Sequence, residues 1–141
     1  MEAKEFLGQV RHLKEMIKSK KMELAEMRAN MYDGAHDNSG VRVQTTPTGD
    51  AMEKRIIDVA DMEAEICDSI TDYYTKYHEV INIINRLSRG RYIMVIRERW
   101  ICDKTLETIA QENNYSFSTI RHDYWKAMKE MEEIIENMNT N

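Results

Sequence analysis

Residues 105–128, T-L-E-T-I-A-Q-E-N-N-Y-S-F-S-T-I-R-H-D-Y-W-K-A-M, hold the side chains in this chain whose types and spacing best suit chemistry. That chemistry is recognition of double-stranded DNA, not bond making. A helix opening at Ser116 turns Phe117, Ser118, Arg121, His122 and Lys126 to one polar, basic side. Ser116, Phe117, Ser118, Arg121 and His122 are expected to face base edges in the major groove. Arg121 is the candidate for a guanine, since its guanidinium donates two parallel hydrogen bonds. Thr105, Thr119 and Lys126 are expected to hold phosphates and fix orientation. The plainer alternative is a helical pair whose outer face is merely solvated.

Two short helices and a turn must position these groups. Thr105 suits the cap of the first helix, because its hydroxyl can accept a free N–H of the opening turn. Leu106, Ile109 and Ala110 give that helix an apolar face. Asn113 and Asn114 follow, and Asn tolerates the left-handed backbone of a sharp turn. Tyr115 fills the corner, Ser116 offers a second cap, and Ile120, Ala127 and Met128 point the second helix inward. A capped helix, a turn and a second capped helix with a basic outer face describe a helix-turn-helix. Ahead of it, Ser88 to Gly90 breaks the chain. Residues 91–101 then form a lead-in helix whose Ile93, Val95, Ile96 and Trp100 can pack on the pair. Arg91, Arg97 and Arg99 are open to two readings, phosphate contact or a solvated face paired with Glu98. The last helix should run to about Met138, with only its first two turns in a groove, because E-M-E-E-I-I-E is acidic. Met131, Ile134, Ile135 and Met138 form a stripe that packs back on the protein or buries a dimer contact.

The run R-W-I-C-D-K-T-L-E-T-I-A-Q-E-N-N-Y-S-F-S-T-I-R-H-D-Y-W-K-A-M resembles region 4 of sigma-70-type factors. It is more similar still to small regulators encoded by phages and prophages of Gram-positive bacteria, some of them late-gene activators. The resemblance rests on Arg99-Trp100-Ile101-Cys102 before the first helix, on Asn114-Tyr115-Ser116 at the turn, and on a long helical N-terminal half. It covers residues 92–131 well and the rest loosely. It implies a DNA-binding transcription regulator of a phage operon, working in the cytoplasm of a bacterial host. Asn114 stands where that family has Gly, and Asp123 where it has an apolar residue, which would offset the packing of the second helix.

Charge distribution agrees with such a role better than net charge does. The chain of 141 residues carries −5 overall, yet residues 86–129 hold nine Lys and Arg against five Asp and Glu. The basic excess falls where phosphates need neutralising, and the binding it supports should be salt-sensitive. Six Gly and Pro together and 32% charged residues favour long helices over sheets. The length allows one or two small domains without a large enclosed active site. Cys67 and Cys102 lie far apart, without CxxC spacing, as a reducing compartment predicts. His12, His36, His78 and His122 have no metal-ligand spacing. There is no phosphate loop, no nucleophile beside a base and no paired carboxylates, so neither an enzyme nor a cofactor is expected. No unbroken apolar run suggests a signal peptide or membrane span.

Upstream, residues 3–31 carry a seven-residue apolar repeat, with Val10, Ile17, Leu24 and Met31 at one seam position and Phe6, Leu13, Lys20 and Met27 at the other. Residues 52–87 carry a second, with Ile56, Glu63, Ile70, Tyr77 and Ile84, then Met52, Val59, Ile66, Tyr73, Val80 and Leu87. Repeats of this kind mark coiled-coil packing. They also place Met27, Met31, Met52, Tyr73 and Tyr77 at seam spacing, which packing explains better than a ligand groove does. Residues 33–50, with Gly34, Gly40, Pro47 and Gly49, read as a flexible connector. Folding the helices antiparallel with Met31 against Met52 sets Leu24 on Val59, Ile17 on Ile66, and the lone polar entries Lys20 and Glu63 on each other. Such a pair would act as a register device, unless both side chains reach outward past the seam. The competing arrangement pairs these helices with another subunit.

The expected fold is therefore all-α, with two parts. Residues 1–88 form a long antiparallel coiled-coil-like hairpin, with helices at about 3–31 and 52–87. Residues 89–141 form a three-helix, sigma-region-4-like helix-turn-helix domain. Double-stranded DNA is the expected partner, with RNA polymerase and a second copy of the chain as further ones, and no membrane. Two other functions fit the same pattern: a DNA-packaging adaptor like a phage small terminase subunit, and a module that binds RNA polymerase without touching DNA.

Overall fold

A computed structural model of the chain describes residues 2–31 and 49–140. The fold is all-α, and among the described residues there is no strand. The helices are α1 (Ala3–Met31), α2 (Gly49–Ile84), α3 (Gly90–Ile96), α4 (Leu106–Glu112) and α5 (Phe117–Asn139). A π-helical turn, Arg97–Ile101, continues α3. The connector expected at 33–50 lies outside the described residues, except for Gly49 and Asp50, which open α2.

Two compact units result, and their boundary does not fall at residue 88. One unit is Met1–Leu13 with Tyr73–Asn141, and the other is Lys14–Asp72. The first follows from where the largest apolar cluster forms. Ala3, Phe6, Leu7 and Val10 of α1 are buried with Val80, Ile83 and Ile84 of α2, and with Leu87 just beyond it. The same cluster takes in Tyr92 and Ile96 of α3 and Ala127, Met128, Met131 and Ile135 of α5. Helix α2 does end before Ser88–Gly90, but the break sits inside a shared core and separates nothing. The stripe at the end of α5 thus finds its cover within the chain through Met131, Ile134 and Ile135, while Met138 stays exposed. A smaller cluster of Val95, Ile109, Ala110 and Ile120 joins α3, α4 and α5.

In the second unit α1 and α2 run antiparallel, but in a different register from the expected one. Lys20 does not meet Glu63. Its Nζ donates to Ser69 Oγ at 2.8 Å and lies 3.9 Å from Glu65. Glu63 instead accepts from Arg28 Nη2 at 2.6 Å. Both partners have moved by about one heptad along the opposite helix. Leu24, Val59 and Ile66 form the buried centre, flanked by Met27, Met31, Met62 and Ile70. The Met31 carbonyl accepts from Arg55 Nη1 at 3.2 Å, so α1 ends beside that turn of α2. Ile56, expected in the seam, is 52% exposed, and Glu63 is exposed as well.

Magnitudes explain the choice of register. An exposed ion pair contributes up to about 1 kcal/mol, whereas each large apolar side chain taken out of water contributes roughly 1.5–3 kcal/mol. The register found in the first unit buries Phe6, Leu7 and Val10 against Val80, Ile83 and Ile84. Apolar burial therefore outweighs one matched pair of seam charges.

Local geometry at the α4–α5 connection follows the sequence closely. Thr105 Oγ1 accepts from Thr108 N at 3.2 Å, and Ser116 Oγ accepts from Thr119 N at 3.2 Å. Asn114 takes a left-handed backbone, φ 59°. Asp103 does so too, at φ 57°, where the chain leaves the π-helical turn. Asn114→Val should lower stability by about 1–2 kcal/mol, because a β-branched side chain clashes in that conformation. Asn114→Gly should not. Urea midpoints that fail to separate the two variants would show that the turn has relaxed to another conformation.

Candidate nucleic-acid interface

The residues from 117 to 129 sort by helical periodicity into an inner and an outer side. Ile120, Asp123, Ala127 and Met128 are buried. Phe117, Ser118, Arg121, His122, Trp125, Lys126 and Lys129 are exposed. Ser118, Arg121, His122 and Trp125, with Leu106 of α4 and Tyr124, line an open concavity of about 500 Å³. The side chains of Arg121, His122 and Lys126 make no hydrogen bond or ion pair with any described residue. The one acid in this stretch, Asp123, is turned inward, and the acidic run begins only at Glu130.

Several other cations of the same unit, Arg91, Lys104 and Arg11 among them, are paired internally, whereas Arg86 and Arg97 are not paired with any described residue. Arg91 donates from Nε and Nη2 to Asp123 Oδ2 at 2.9 and 2.7 Å. That hydrogen bond and the charge behind it hold the Arg91 guanidinium above its ordinary pKa. Asp123 is 3% exposed, so its buried carboxylate is accommodated by a specific partner. Arg91 also lies over the Tyr115 ring, 5.3 Å from its centre. Phosphate contact, one reading of Arg91, is thereby displaced by an internal one.

Lys104 sits between two carboxylates, donating to Glu98 Oε1 at 3.1 Å and Glu112 Oε2 at 2.6 Å. Hydrogen bonds to Glu112 first and Glu98 second push its ammonium pKa upward. Glu98 also accepts from Asn113 Nδ2 at 3.0 Å, so it serves Lys104 and Asn113. Arg99 donates to the Lys104 carbonyl at 3.3 Å. Arg11 of α1 donates to Asp103 Oδ1 at 2.8 Å and to the Arg99 carbonyl at 2.9 Å, and lies over the Trp100 ring. These contacts fasten the π-helical turn to α1 and hold α4 in place.

The hydroxyls expected at the interface divide into two kinds. Thr105 and Ser116 act as helix caps, and Thr119 Oγ1 lies 2.8 Å from Ser116 Oγ. Their oxygens keep spare hydrogen-bonding capacity, but their positions are set by the backbone they cap. Ser118 alone of the group is an exposed hydroxyl outside the caps. Trp125 and Lys129 were not among the sequence candidates. The i, i+4, i+8 spacing of Arg121, Trp125 and Lys129 places them on the same side, and Lys129 Nζ stands 3.7 Å from the centre of the Trp125 ring.

The chain matches no family model, no curated protein and no solved structure. The chemistry of this face therefore rests on its own residues. Among the described residues, no cluster of His, Cys, Asp and Glu side chains is arranged to hold a metal ion. No described helix is long and apolar enough to cross a membrane. Cys67 and Cys102 are free thiols, both exposed.

Proposed function

We propose that the outer face of α5 binds double-stranded DNA in a sequence-specific manner, with α4, the Asn114 turn and α5 working as a helix-turn-helix. One observation carries the reading. Arg91, Lys104 and Arg11 are spent on internal partners, while Arg121, His122 and Lys126 on one face are left without any among the described residues. An unpaired, convergent set of donors beside exposed Ser118 and Phe117 suits base edges and phosphates. The resemblance to small phage and prophage regulators extends the proposal to transcriptional control of a phage operon.

Fragments of the genome carrying this gene, selected by the protein and compared with mixed-sequence duplex, test the proposal. Arg121→Ala should cost about 1–3 kcal/mol on the selected site and much less on mixed sequence. Equal loss on both would make Arg121 a backbone contact. Failure of the native chain to retain any duplex at low salt would remove the proposal altogether.

A further inference from the structure

Trp125 is 58% exposed on a face that otherwise carries Phe117 and polar or cationic side chains. No packing requirement of the fold puts it there, since the inward positions of α5 are filled by Ile120, Ala127, Met128 and Met131. Tryptophan is enriched at interfaces, where it offers an apolar body and a polar N–H together. Its surroundings define the occupant's charge. Arg121, Lys126 and Lys129 stand on the same stretch of helix, and the Lys129 ammonium is held against the ring at 3.7 Å. That arrangement presents a cation and an apolar surface side by side. The sugar–phosphate backbone of a duplex offers the matching pair, a deoxyribose next to a phosphate.

Position along the helix agrees. At ~1.5 Å per residue, Trp125 lies about 12 Å from Phe117. The major groove is also about 12 Å wide. With Phe117 to His122 inside the groove, Trp125 reaches its wall. We infer that Trp125 is the residue that closes α5 against the DNA backbone, packing on a deoxyribose and fixing Lys129 on the adjacent phosphate. This rests on the DNA-binding reading above and adds to it the point where the helix leaves the groove, and a role for Lys129.

The contact is to backbone, so sheared mixed-sequence duplex DNA is a sufficient probe and no operator is needed. In a full-length Trp100→Phe background, Trp125 is the sole tryptophan. Its emission should change on adding that duplex and recover when salt is raised. Trp125→Ala should weaken binding by about tenfold on both mixed and selected sequences. Lys129→Gln should lower the salt dependence by about one phosphate contact. Native affinity in Trp125→Ala, with unchanged emission while gel retardation shows the duplex bound, would overturn the inference and leave the DNA reading standing. No retardation by the native chain would overturn both. Loss of self-association with DNA binding intact would assign the ring to a protein contact instead, and would also overturn it.

Discussion

Leu7→Ala should destabilise the protein by about 2–5 kcal/mol, the range for a leucine replaced by alanine in a packed core. Leu7 has no exposed surface and lies in the cluster that joins α1 and α2 to α3 and α5. Its truncation removes contacts on which the placement of α5 depends. Trp100 packs against this cluster, so its near-UV circular dichroism reports the unit directly. Leu24→Ala provides the comparison, because Leu24 sits in the smaller cluster of the other unit with a little surface still open. Its effect on the Trp100 signal should be much smaller. Removing residues 2–13 extends the same reasoning, since Ala3, Phe6, Leu7 and Val10 leave together. The remaining chain should lose the cooperative unfolding of the unit that holds α3 to α5. A truncated chain with the native urea midpoint would show that the C-terminal helices are self-sufficient.

Arg91→Ala is the second large expected effect, a clear fall in the urea midpoint. Removing one partner of a fully buried pair costs roughly 3–5 kcal/mol, because a charge is left buried and uncompensated. The Arg91 side chain is 45% exposed while that of Asp123 is 5% exposed, so water relieves part of that cost. The double variant Arg91→Met with Asp123→Leu should recover most of the loss, since apolar replacements of a buried pair are often neutral. A double-mutant cycle read from urea midpoints checks both statements. If Arg91→Ala alone matches the native stability, the Asp123 carboxylate has found another donor and the pair does not position α5.

The pair also illustrates what could and could not be read in advance. Asp123 is visible in the sequence as an acid on the second helix of the pair, but nothing local names its partner, which is 32 residues away in sequence. The caps at Thr105 and Ser116 were legible because each joins a hydroxyl to an N–H three residues on. The left-handed Asn114 was legible for the same reason of proximity. The spacing of Trp125 from Arg121 places it on the outer face, but only its exposure shows that the ring is not part of the core. Lys20 and Glu63 do not pair. Two polar residues at seam positions matched in one register, yet both were long enough to find other partners, Ser69 and Arg28.

By itself the sequence determined an all-helical chain, the caps, the turn and the inward sides of α4 and α5. Each depends on periodicity or on atoms only a few residues apart, and such terms act before any helix meets another. The tertiary structure alone decided which heptad of α1 lies on which of α2, where the two units divide, and which cations remain unpaired. A seven-residue repeat is satisfied again at every shift of seven. The apolar surface that the start of α1 buries with α2, α3 and α5 selects among those shifts.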